Sequence, residues 1–90
     1  MKRIRLFISG YVQGVGFRWY VQRLAKRINV YGFVRNLRDG RVEALVEGKD
    51  ELVEQFLQNL KEGSFKDQLE EIKKSEEEYQ KEYSDFTIKF

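Results

Sequence analysis

The amino-acid sequence predicts an α+β sandwich whose elements follow the order strand, helix, hairpin, helix, strand. Three stretches carry the prediction. Ile4, Leu6 and Ile8 alternate with Arg3, Arg5, Phe7 and Ser9, as a strand with one buried face requires. Phe17, Tyr20, Val21, Leu24, Ala25 and Ile28 recur at the i, i+3, i+4 spacing of a helix with one apolar stripe. Two β-rich runs flank an Asp39-Gly40 pair, a strong short-range hairpin signal.

Taken in order, the first strand covers about residues 3–9 and ends in Gly10-Tyr11-Val12-Gln13-Gly14-Val15-Gly16-Phe17-Arg18. The helix that follows runs from about Arg18 to Ile28, with Trp19, Arg23, Lys26 and Arg27 off its stripe. Asn29 is placed to end it, because Asn tolerates the left-handed conformation of a C-terminal cap. The hairpin joins Val30–Leu37 to Arg41–Glu47, with Val42, Ala44 and Val46 facing inward. A second helix carries Leu52, Val53, Phe56, Leu57 and Leu60, with Asp50 as its N-cap and Gly63 as its stop.

The last third is dominated by charge. Between Gln68 and Lys81 only Leu69, Ile72 and Tyr79 are apolar, and local propensity there favours a polar helix or a solvated segment. The order of the other elements instead asks for a strand within residues 68–77, and an edge strand studded with Lys and Glu resists edge-to-edge pairing. Lys74 then stands where an inward apolar residue is expected. Asp85 to Phe90 alternates as a short C-terminal strand. The whole is the βαββαβ arrangement of a ferredoxin-like sandwich: an antiparallel sheet with two helices on one face and a short C-terminal strand, in a single domain over residues 1–90.

Composition narrows the chemistry. With no cysteine there is no disulfide frame, thiol nucleophile or thiolate-held metal, and with no histidine the commonest metal ligand and general base are missing. No metal and no cofactor are expected. The N-terminal run is too short and too charged for a signal peptide or membrane span, so a cytoplasmic protein is expected. Abundant Lys and Glu without Cys lean toward a thermophilic source. The net charge of +2 hides an asymmetry: residues 1–41 hold ten Lys/Arg, eight of them Arg, against Asp39 alone, while residues 42–90 hold seven Lys against fourteen acids. An Arg-rich half suits a planar anionic ligand, and equally suits attraction between the two halves of the fold.

The glycine-punctuated turn between strand and helix has two readings. Gly10, Gly14 and Gly16 either make a tight connection with Arg18 solvated, or they expose amides at a helix N-terminus as an anion site. Arg18 sits in the first helical turn, a poor place for a cation unless a bound anion offsets the dipole. A Walker loop is excluded because Val15 stands at its second glycine, and the dinucleotide pattern fails at Trp19. In this topology the C-terminal ends of strands 1 and 2 share one end of the sheet. Asn36, which by itself reads as a turn residue, then arrives beside the glycine loop.

Residues Ile8–Arg18 (ISGYVQGVGFR) resemble the first signature of the acylphosphatases, and Gly32–Gly48 (GFVRNLRDGRVEALVEG) resembles their second, both without a gap. The resemblance implies hydrolysis of a carboxyl-phosphate anhydride to carboxylate and inorganic phosphate. It further implies that Arg18 binds the phosphoryl group with the backbone amides of Gln13, Gly14, Val15, Gly16, Phe17 and Arg18, and that Asn36 orients the attacking water. The partners expected are a small acyl phosphate and its phosphate product, acting on a monomer without a nucleic acid or membrane. A competing reading is an RNA-recognition domain, because Tyr31-Gly32-Phe33-Val34 echoes part of an RNP1 motif. The echo falls on the wrong strand, and packing explains both aromatics.

Overall fold

The structure, a computed structural model, describes residues 1–90. The elements are β1 (Lys2–Gly10), α1 (Phe17–Ile28), β2 (Tyr31–Asn36), β3 (Val42–Gly48), α2 (Asp50–Glu62), a short 3-10 turn (Lys66–Gln68), β4 (Leu69–Glu77) and β5 (Phe86–Lys89). They form one five-stranded sheet in the order β4-β1-β3-β2-β5. The three pairings among β4, β1, β3 and β2 are antiparallel as expected, whereas β5 pairs parallel to β2 and makes the sheet mixed.

Both apolar stripes meet on one face. Ile4, Leu6 and Ile8 lie opposite Val46, Ala44 and Val42 in the β1–β3 register, so their side chains share the helix-facing side. Against them pack Val21, Leu24, Ala25 and Ile28 of α1 and Val53, Phe56, Leu57 and Leu60 of α2. Asn29 caps α1 in the left-handed conformation, its N–H reaching the Ala25 carbonyl. Asp50 is not the N-cap of α2: Lys49 occupies that place with extended backbone, and Asp50 lies in the first turn. There its carboxylate still faces the positive end of the helix dipole, the site an acid favours. Gly63 ends α2 as expected.

The charged segment does form an edge strand. Ile72 lies opposite Ile8, Lys74 opposite Leu6 and Glu76 opposite Ile4, so β4 turns charge toward the helix side where neither helix covers it. Long-range pairing with β1 supplies the backbone hydrogen bonds that local propensity would have placed in a helix.

The outer face of the sheet explains the charge asymmetry. Arg3 binds Glu47 (3.1 Å), Glu77 (3.0 Å) and Glu82 (2.8 Å). Arg5 pairs with Glu77 (2.6 Å) and Glu43, and Arg35 pairs with Glu43 (2.6 Å). Glu47 is only 1% exposed and also accepts the backbone N–H groups of Gln80 (3.2 Å) and Glu82 (3.0 Å). It thus anchors residues 78–85, the segment that crosses from β4 at one edge to β5 at the other. Arg5, then Arg3, hold the Glu77 carboxyl below its ordinary value of 4.5. A carboxyl depressed in the folded state stabilises fully above that ordinary value and loses the effect as pH falls through its lower folded value. Stability is therefore expected to fall as pH drops below about 4.5, the usual range for an unperturbed glutamate. In thermal unfolding, Glu77→Gln should lower the midpoint at pH 7 and lower it progressively less as pH falls below about 4.5.

Candidate active site

The loop after β1 is built to leave its amides free. Gly14 (φ 76°) and Gly16 (φ 80°) are left-handed, with Val15 at negative φ between them. A Cβ at either glycine would meet nothing within 4 Å, so backbone conformation and not crowding calls for glycine. Alternation of this kind turns successive N–H groups toward one side, as in an anion nest. None of the backbone N–H groups from Gln13 through Trp19 donates to another group of the chain; pairing resumes at Tyr20, whose N–H reaches Gly16 (3.0 Å). The first turn of α1 adds its unpaired amides to those of the loop, and no acidic residue lies there to fill the role of an anion.

Two anchors hold the loop. Tyr11 N–H bonds the Gln68 carbonyl (2.9 Å), fastening it to the start of β4. The Gln13 side-chain amide donates to the carbonyls of Leu37 (2.8 Å) and Arg41 (2.9 Å), fastening it to the β2–β3 turn. Gln13 therefore also has a structural part that its sequence context did not reveal.

A cleft of about 290 Å³ opens over this loop, lined by Gly14, Gly16, Phe17 and Arg18 together with Val12, Trp19, Ile88 and Phe90. Arg18 is half-buried; its Nη1 donates to the Lys89 carbonyl (3.2 Å) and its guanidinium lies 4.8 Å from the centre of the Phe90 ring. No carboxylate pairs with it, in contrast to Arg3, Arg5, Arg35 and Arg41. The fold has thus used much of the arginine excess internally and left Arg18 with donors to spare.

Asn36 closes β2. It lies opposite Val42, itself opposite Ile8, so it occupies the helix-facing side at the sheet end where β1 delivers the glycine loop. Its Oδ1 is buried and accepts no hydrogen bond. Asn36 does not line the cleft that holds Arg18, so the two expected residues share a sheet end and not a single wall. Ile88 and Phe90 went unrecognised in the sequence. Alternation marks a strand near the C-terminus, but only its parallel pairing with β2, Val34 opposite Ile88, carries its end to the glycine loop. Of the two aromatics in the RNP1 echo, Phe33 is accounted for by packing, being 5% exposed and meeting the Tyr83 ring edge-on at 5.9 Å, whereas Tyr31 is 37% exposed.

Fold and cleft together define a ferredoxin-like α+β domain with an anion-receptive loop at the shared C-terminal end of β1 and β2. The chain belongs to the acylphosphatase family, whose pattern matches residues 4–88. It is 39% identical to an acylphosphatase of Bacillus velezensis over 90 residues, all of both chains. It is 50% identical to one from Methanospirillum hungatei over 60 residues, which cover 67% of this chain and 66% of that relative. The crystal structure of acylphosphatase from Bacillus subtilis superposes with a TM-score of 0.92 at 36% identity, covering 100% of each chain. No helix is long and apolar enough to cross a membrane.

Proposed function

We propose that this protein hydrolyses acyl phosphates to a carboxylate and inorganic phosphate, acting as a metal-independent monomer. The observation that carries the reading is the run of unpaired amides from Gln13 through Arg18 beside an arginine free of acidic partners. Such a set matches the oxygens of a phosphoryl group, which gather charge as the bond to the acyl oxygen lengthens.

In this mechanism the loop amides and Arg18 hold the phosphoryl oxygens. Asn36 Oδ1 accepts a hydrogen bond from a water aligned for in-line attack. The water oxygen bonds to phosphorus, the bond from phosphorus to the acyl oxygen breaks, and the electron pair leaves on the carboxylate. The water's proton passes to a phosphoryl oxygen. A carboxylate leaving group, whose conjugate acid has a pKa of about 4, needs no protonation. The absence of histidine and cysteine is therefore no obstacle. Positioning and charge stabilisation are what the step requires.

Purified protein should release phosphate from acetyl phosphate and benzoyl phosphate at the same rate with and without EDTA. Phosphate release no faster than spontaneous hydrolysis would sink the proposal, and a loss confined to the EDTA arm would sink its metal independence.

A further inference from the structure

The cleft beside Arg18 holds more than a phosphate cradle. Its lining also includes the apolar side chains of Val12, Ile88, Trp19 and Phe90. Val12 and most of Ile88 belong to the packed core, but Trp19 is 57% exposed and Phe90 fully so. Trp19 stands off the apolar stripe of α1, so packing of the helix does not demand an aromatic there. Arg23 covers one face of its ring at 4.5 Å, leaving the indole on the cleft rim. Phe90 rests on the Arg18 guanidinium and lines the same cleft. At about 290 Å³ the cleft is near the lower limit for a small-molecule site and far larger than the ~30 Å³ that one water occupies in the liquid.

We infer that Trp19 and Phe90 form a seat for the acyl group of the substrate and select acyl phosphates with an aromatic or bulky apolar acyl chain. This rests on the proposed hydrolysis for its biological meaning, but the seat itself is a binding property. An acyl group attached to a phosphoryl held by Gly14, Gly16 and Arg18 has these apolar side chains as its neighbours in the same cleft. A planar aromatic acyl group gains ring-to-ring contact with Trp19 and removes two exposed aromatics from water, whereas an acetyl group reaches little of either.

The test separates the seat from the chemistry by using phosphonates, which cannot be hydrolysed at an acyl bond. Trp19 is the chain's single tryptophan, so its fluorescence reports occupation of the cleft. Calorimetry gives the affinities of all variants. Benzylphosphonate should bind wild-type protein on the order of tenfold more tightly than methylphosphonate, the scale of discrimination an apolar pocket achieves, and should perturb Trp19 emission more strongly. Trp19→Ala should erase most of that ratio while keeping affinity for inorganic phosphate within about twofold, and Trp19→Phe should restore it in part. Because Trp19 is largely exposed, both variants should fold. Equal affinity of wild type for the two phosphonates would overturn the seat, as would a ratio unchanged in Trp19→Ala. If acyl phosphates are not hydrolysed but the ratio is found, the catalytic proposal fails and the seat stands.

Discussion

Arg18→Ala is expected to abolish most of the binding of phosphate and to lower kcat/KM for acyl phosphates on the order of 10²–10³-fold, the usual effect of deleting one preorganised charge-stabilising donor. Fold stability should not fall with it. Arg18 is a cation in the first turn of α1, where the dipole disfavours positive charge by about 0.3–1 kcal/mol, and it has no carboxylate partner. Loss of the Lys89 and Phe90 contacts offsets that relief, so without phosphate the variant should melt close to the wild-type temperature. With phosphate present, wild type should gain stability by mass action and the variant should gain little. Arg18→Lys keeps the charge but lacks the planar fork and the Lys89 and Phe90 contacts as they stand, so it should recover only part of the activity. A wild-type-like rise in melting temperature of Arg18→Ala with phosphate would contradict the role proposed for the guanidinium.

Asn36→Ala is expected to separate turnover from binding. The Asn36 Oδ1 is buried and has no hydrogen-bond partner within the chain, so it is available to accept one from a water. An aligned water fits that position at the end of β2. Alanine should lower kcat on the order of 10²–10³-fold, as loss of one aligned polar group commonly does, while inorganic phosphate binds with near wild-type affinity. Calorimetric titration with phosphate beside steady-state kinetics decides it: equal loss of phosphate affinity in Asn36→Ala and Arg18→Ala would refute the division of labour between them.

Much of the scaffold could be read locally. Alternation in Ile4–Ile8, the helical stripe from Phe17 to Ile28 and the Asp39-Gly40 turn each depend on near neighbours in the chain, and each formed where expected. The N-cap of the second helix fell on Lys49, one residue before the expected Asp50, and makes no side-chain capping hydrogen bond. The fourth strand was the hard case. Its composition favours helix or solvent, and only the unpaired edge of β1 made it a strand, a demand set by residues some seventy positions earlier in the chain.

By itself the sequence determined the order of the elements, the glycine turn at the mouth of α1 and the chemical types available there. These follow from backbone sterics and apolar periodicity, which act over a few residues. Tertiary structure decided the rest. Which arginines stay free depended on acids brought up by β4 and by residues 78–85, since an ion pair forms only where chain distance has been closed. The side of β2 on which β5 pairs decided that Ile88 and Phe90 would wall the cleft. In the sequence the glycine turn is only a connection between strand and helix; it becomes a candidate site when the sheet sets Asn36, Arg18 and an aromatic rim at the same end.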